Sequence, residues 1–314
     1  GLVLPRVDAA LVTNIAADHL GDYGIHDLPS LAAAKLVIAR AVRPDGRAVL
    51  NADDAELVAA AGQVAAPLVW FTLEPENPLV ARHVAAGGEA IAVDDGFLVL
   101  DRGGERTPVV RVEEVPITLG GIARYNVANV LGAIGLASAA GLPVEAMAEG
   151  LRRMRGTPED NPGRANLFER HGVRILLDYA HNPHGVAALV EMARALPAAR
   201  RLIVVSQAGD RSDEAIRDLV RAAWELRPDR VVIKELPEML RGRQLGEIPR
   251  LLEDELRRLG MPAAGLEHAD SELDAVRKAF AWARAGDLLV LLVHKHRDAA
   301  VDLIRTATPG SPLE

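Results

Sequence analysis

Asp178-Tyr179-Ala180-His181-Asn182-Pro183 sets an acceptor, a titratable ring and an amide directly after the apolar run from Val173 to Leu177. A strand that ends in such residues delivers them to the carboxyl edge of a sheet, where open α/β folds bind ligands. Asp178 can accept hydrogen bonds from ribose hydroxyls or close a structural turn, and His181 is open in the same way. Pro183 suits the first turn of a following helix. Other polar residues carry comparable alternatives. His19, next to Asp18 past an earlier apolar run, suits a metal ion with its phosphate shell, or a cap on the next segment. Lys35 lies on an apolar helical face, where a snorkelling surface lysine is the plain reading. Asn126 and Asn129 lie three apart on one helix face and fit either the edge of a purine or a helix cap. Arg164, after Pro162-Gly163, offers a planar fork of donors to a phosphate or simply faces solvent.

The elements that must position these residues alternate. Val7 to Asn14 reads as a buried strand and Asp27 to Val42 as a helix with Pro29 in its first turn. Ala48 to Asn51 is the next strand, and Asp53-Asp54 opens a helix ending at Gly62. That order predicts a parallel sheet. From Leu68 to Leu119, short alternating runs broken by Gly87-Gly88, Asp95-Gly96 and Gly103-Gly104 predict hairpins, a β-rich insertion. A small-residue helix through Ala140 and a second from Val144 to Met154 follow. Thr157 to Gly163 is the best linker, so two domains are expected, 1–161 and 162–314. In the second, strands near 173–179, 201–207, 230–234, 264–268 and 287–293 alternate with helices near 184–196, 212–226, 246–259, 271–285 and 297–306. The pattern predicts a doubly wound, Rossmann-like sheet.

At 314 residues the chain is long enough for two domains, and its 49% hydrophobic content supplies two cores that are mostly aliphatic, since aromatics are 3%. Lys plus Arg number 36 against 44 Asp plus Glu, and the net charge of −8 argues against nucleic acid or an anionic membrane as the main partner. With no cysteine there is no disulfide framework or thiolate metal site, which fits a cytoplasmic protein. There is no Walker loop, dinucleotide fingerprint, nucleophile elbow or His-Glu-x-x-His helix, so dehydrogenases, serine hydrolases and zincins lose support.

Taken together, order and spacing resemble one family. Thr13-Asn14-Ile15 with Asp18-His19-Leu20-Gly21, Lys35, Val49 to Asp54, Asn126 and Asn129, Pro162-Gly163-Arg164, Asp178 to Pro183 and Gly209-Asp210-Arg211 look like the Mur ligases, ATP-dependent amide-forming ligases. Arg241-Gly242-Arg243 with Gly246-Glu247 resembles the cyanophycin synthetase branch more than the peptidoglycan branch. The resemblance implies that ATP phosphorylates a carboxylate, that an amine attacks the acyl phosphate, and that magnesium assists. It implies a magnesium ligand in His19, catalytic roles for Lys35 and His181, and ATP contacts from Asn126, Asn129, Arg164 and Asp178. Lys35 matches a position that is carbamylated in several members. Arg211, Arg241 and Arg243 become candidate contacts for the substrate, which in that branch is arginine joined to poly-aspartate side chains. The partners implied are ATP and amino-acid or peptide carboxylate and amine substrates, and a homo-oligomer is compatible with them.

The family's phosphate loop and the magnesium-binding glutamate after it are not found from Gly1 onward. The expectation is therefore the C-terminal part of the central ATP-binding domain followed by the C-terminal domain, in a chain that does not use ATP alone. Another Mur-family ligase with a different acceptor, or a non-catalytic module of the same fold, are the alternatives.

Overall fold

The computed structural model describes residues 6–18, 24–308 and 310. The chain divides into two compact units, 1–155 and 156–314, and among the described residues each carries a six-stranded sheet. Both units are α/β.

The first unit runs β1 (Val7–Val12), α1 (Leu28–Lys35), α2 (Val37–Arg40), β2 (Val42–Asn51), α3 (Ala55–Ala60), β3 (Leu68–Thr72), α4 (Pro78–Ala85), β4 (Glu89–Asp94), β5 (Phe97–Arg102), β6 (Glu105–Arg111), α5 (Arg124–Ala139) and α6 (Val144–Arg153). Its strands lie in chain order. β1 to β4 are parallel, and β4, β5 and β6 form an antiparallel meander. The hairpin region is thus shorter than the glycine pairs suggest. Val69, Trp70, Phe71 and Thr72 are buried on both faces of a central parallel strand, and Asn77 caps α4 through its side-chain oxygen. The helix expected over 27–42 is broken at Leu36, so Lys35 ends α1.

Strand residues alternate between two cores, as the two-residue period of a strand requires. Ala48, Leu50, Trp70 and Ala90 face the core shared with α1 to α4. Val49, Val69, Phe71 and Ile91 face the core under α5 and α6. α5 lies close because Gly132 and Gly135 carry no side chain: a Cβ there would stand 3.0 Å from Leu11 and 2.8 Å from Val49.

The second unit runs β7 (Asn166–Arg170), β8 (Val173–Asp178), α7 (Pro183–Ala195), β9 (Arg201–Val205), α8 (Asp213–Trp224), β10 (Arg230–Lys234), α9 (Glu247–Arg258), β11 (Leu266–Ala269), α10 (Glu272–Trp282), β12 (Leu288–Leu292) and α11 (Arg297–Thr306). The sheet order is β11-β10-β9-β12-β8-β7, parallel except for the edge strand β7. Helices α7, α8 and α9 lie side by side. Helices α10 and α11 share the opposite core with Ile175, Leu177, Val204 and Leu291.

This topology locates a crevice. The neighbours β8 and β12 both run toward the same edge, but the chain leaves β8 for a helix on one face and leaves β12 for a helix on the other. Where successive connections part in this way, a doubly wound sheet opens at its carboxyl edge. Asp178 and Leu292 are register partners at that edge.

Candidate functional site

Asp178 ends β8 almost wholly buried, at 7% exposure. Its two oxygens accept the backbone N–H groups of Ala165 and Ala180, each at 2.7 Å. Burial pushes its carboxyl above the ordinary range, against the pull of these N–H donors and of the Arg164 charge. The carboxylate therefore ties the Pro162–Ala165 loop to the exit of β8. Asn166 completes the tie, accepting from Gly163 N–H at 2.8 Å and donating to the carbonyls of Gly156 and Asn161 at 2.9 Å. Asn182 caps α7 through Gly185 N–H at 2.8 Å.

Tyr179, the next residue, organises an aromatic corner. The Arg164 guanidinium carbon lies 4.9 Å from its ring centre, and the rings of His181 and His294 meet it edge-on at 5.2 and 5.4 Å. Such stacking orients a guanidinium while leaving its donors outward. Nδ1 of His181 lies 3.2 Å from the Tyr179 carbonyl.

Arg164 and Tyr179 form one wall of a cleft of about 490 Å³, and His294, Lys295, His296, Arg297 and Asp298 form the other. That volume suits a small-molecule ligand, and the walls carry more cationic than anionic side chains. Gly163 is required beneath it, because its φ of +73° favours glycine and a Cβ would stand 3.0 Å from the Arg297 stem. The stretch 294–298, five titratable residues in a row past the last strand, is the part sequence reasoning missed. Like Asp178 to Pro183, it is a run of polar residues directly after an apolar run.

His294 is fixed in one tautomer. Its Nε2 lies 3.1 Å from the Ala180 carbonyl, which can only accept, so Nε2 donates there and Nδ1 accepts from the Ser206 hydroxyl at 3.4 Å. Burial first, and then the Lys234 charge, push its pKa down to about 3. A histidine held neutral binds fewer protons folded than unfolded, so its contribution to stability is full above the ordinary value near 6.5 and fades as pH falls toward about 3. Its ring resonances are expected to keep the neutral signature at about pH 5, where a free imidazole is mostly protonated. A titration midpoint near 6.5 in a pH series of nuclear magnetic resonance spectra would show the burial argument to be wrong.

Beneath the cleft, the Glu272 carboxylate accepts the backbone N–H groups of His294, Lys295 and His296 and pairs with Lys234. Beside it, Gln207 at the exit of β9 donates to the His181 carbonyl at 2.9 Å. The exits of β8, β9 and β12 are thereby cross-linked.

The three arginines named from the sequence lie in a neighbouring loop pair. Arg243 donates to the carbonyls of Gly209 and Arg211 at 3.0 and 2.7 Å and to Glu247 at 2.6 Å, and it pairs with Asp213 at 2.8 Å. Its donors are engaged inside the protein, where it staples residues 209–213 to 243–247. Arg241 pairs with Asp210 and is exposed, whereas Arg211 is half-buried 3.9 Å from the same carboxylate. In the first unit, Asn126 is buried in α5 and donates to the Ile117 carbonyl at 2.9 Å. Asn129 is exposed and donates to Asn126 at 3.4 Å. Lys35 is exposed at the end of α1. His19 lies outside the described residues, and among the described residues no group of three or more His, Asp or Glu is arranged to hold a metal ion. Nor, among them, is any helix long and apolar enough to cross a membrane.

Two family models match the chain, the Mur ligase middle domain over residues 3–137 and the Mur ligase glutamate ligase domain over 163–310. The cyanophycin synthetase of Trichormus variabilis is 36% identical over 292 residues, which are 93% of this chain and 32% of that protein. A UDP-N-acetylmuramoyl-L-alanyl-D-glutamate–2,6-diaminopimelate ligase from Gloeobacter violaceus is 30% identical over 93% of this chain and 55% of its own length. The chain thus spans about a third of the cyanophycin synthetase it matches. Among solved structures, E. coli FolC in complex with ADP shares the fold, with a TM-score of 0.66 at 22% identity over 96% of this chain and 64% of that one.

Proposed function

The chain belongs to the Mur ligase family, and from that we propose that it serves in an ATP-dependent ligase of the cyanophycin synthetase kind. The reaction proposed joins arginine to the side-chain carboxylates of a poly-aspartate backbone. ATP transfers its terminal phosphoryl group to the carboxylate, leaving ADP. The amine attacks the acyl carbon, its lost proton passes to a base, and phosphate departs from the new amide.

The observation that carries this reading is the cationic cleft at the carboxyl edge between β8 and β12. Arg164, oriented by the Tyr179 ring, is suited to a phosphate through paired N–H donors, and Lys295 and Arg297 add charge from the opposite wall. Asp298 is the acidic residue lining the cleft and offers a carboxylate to a cationic acceptor. Asp178, bound to two backbone N–H groups, shapes the wall and has lone pairs left for a ribose hydroxyl. Lys35 and His181 remain the proposed catalytic side chains, and Asn126 with Asn129 the adenine contacts, of which Asn129 has the exposed amide. Arg211 and Arg241 are proposed to meet the amine substrate, with Arg243 holding their loops. Magnesium would supply charge neutralisation at the phosphates, with His19 as its proposed ligand.

The test uses the protein in which this chain naturally occurs, with an aspartate-backbone peptide and ATP. ADP release is expected to depend on arginine, and Arg164→Ala to lower kcat/KM by about 100-fold, the usual loss for one donor to a charged transition state. ADP release that ignores arginine but responds to another amino acid would favour the second reading, a ligase of the peptidoglycan type, which the 30% identical relative supports. No amine-dependent release with any amino acid would reject both.

A further inference from the structure

The loop that follows β12 takes its shape from beneath. Glu272, the first residue of α10, is 2% exposed. Its carboxylate accepts three consecutive backbone N–H groups, from His294 at 2.7 Å, Lys295 at 2.8 Å and His296 at 2.7 Å. Lys234, 1% exposed at the end of β10, pairs with the same carboxylate and donates to the Leu292 carbonyl at 2.6 Å. Burial acts to raise the Glu272 pKa, but the Lys234 charge and the N–H donors outweigh it and hold the carboxyl below the ordinary carboxylate range.

A buried ion pair is by itself weak evidence for stability, since apolar side chains of equal volume often serve a core as well or better. What apolar side chains cannot do is accept three N–H groups. Rotating any of the three peptides would strand a buried donor, at about 1–3 kcal/mol each. We infer that Glu272, held by Lys234, is a positioning residue: it sets the backbone of His294 to His296, and hence the places from which Lys295 and Arg297 present charge to the cleft. This rests on the cleft being the nucleotide-facing site proposed above. Being buried, Glu272 acts through the loop and not on the ligand.

Glu272→Gln and Lys234→Met, each in the protein in which this chain naturally occurs, separate this role from a merely structural one. Each breaks the buried pair and lowers the unfolding midpoint. Only Glu272→Gln takes an acceptor from the loop. It is expected to speed hydrogen exchange at the Lys295 and His296 amides about tenfold or more relative to the β12 amides, and to weaken magnesium-ADP binding by about tenfold, because small misplacements of binding groups are costly. Lys234→Met removes the counter-charge and the bond to the Leu292 carbonyl but leaves both acceptor oxygens in place, so its effect on both measures should be clearly smaller than that of Glu272→Gln. Should Glu272→Gln not fold, Glu272→Asp, which withdraws the carboxylate by one methylene, replaces it with the same expected order. Equal exchange at Lys295 and His296 in the two variants would overturn the inference. If the unsubstituted protein in which this chain naturally occurs does not bind magnesium-ADP, the ligand reading fails instead, and the exchange comparison still decides the loop.

Discussion

Asp178→Ala is expected to destabilise the second unit by about 2–4 kcal/mol, because two buried backbone donors lose their acceptor at once. Those donors are Ala165 and Ala180 N–H, both at 2.7 Å from the carboxylate. Exchange of the β8 and β12 amides under denaturant reports that unit alone, and an unchanged unfolding free energy there would leave Asp178 with a ligand role only. Asp178→Asn keeps one acceptor oxygen and should lose about half as much. The pH dependence has a definite sign. A carboxyl raised above its unfolded value adds stability that is present in full below about 3.8 and is lost as pH rises through the folded value. Asp178 therefore opposes acid unfolding, and the acid sensitivity of this unit falls to groups such as His294 and Glu255. The latter is held at about 2, chiefly by its hydrogen bond to Arg258.

Gly209→Ala is the second large effect, at about 3 kcal/mol. A Cβ there would lie 1.8 Å from the Leu240 carbonyl oxygen and 2.7 Å from its carbon. Backbone must move, and with it the Gly209 N–H bond to Met239 at 2.9 Å and the Arg243 bond to the Gly209 carbonyl at 3.0 Å. Gly150 in α6 is the contrast: a Cβ meets nothing within 4 Å, so Gly150→Ala should stabilise the first unit by about 0.5–1 kcal/mol. Thermal melts of the two variants that shift in the same direction would contradict the steric argument.

Most of the second unit was legible because its strands are apolar runs bounded by turns. The helix expected over 297–306 is α11 to the residue, and β10 spans the expected 230–234. Strand β7 was not legible. Asn166 to Arg170 is a short, partly exposed edge strand, joined to β8 by His171 and Gly172 with φ of 48° and 75°, and a two-residue turn leaves little room for a loop signal. Helix α4 was hidden for a related reason, since only Val80 in it is buried. At the site, the strand end carrying Asp178 stood out because polar residues follow an apolar run. Lys234 and Glu272 did not. They are 38 residues apart, Lys234 closes an ordinary strand, and Ser271-Glu272 reads as a routine N-cap with an acid in the first turn. Only the fold shows that these two charges share one buried space.

The carboxylate under the β12 loop bears on how such a site can change over evolutionary time. Turns that hold anions commonly do so with their own main-chain amides in a concave nest, and that ties function to glycine-rich sequence. Here the nest at 294–296 is filled from inside by Glu272. The turn's shape is specified at a distant position, and the residues on it are released from specifying it. Lys295 and His296 are exposed and can be exchanged for other side chains while the main chain stays where it is. A scaffold built this way can alter what it selects without first having to refold.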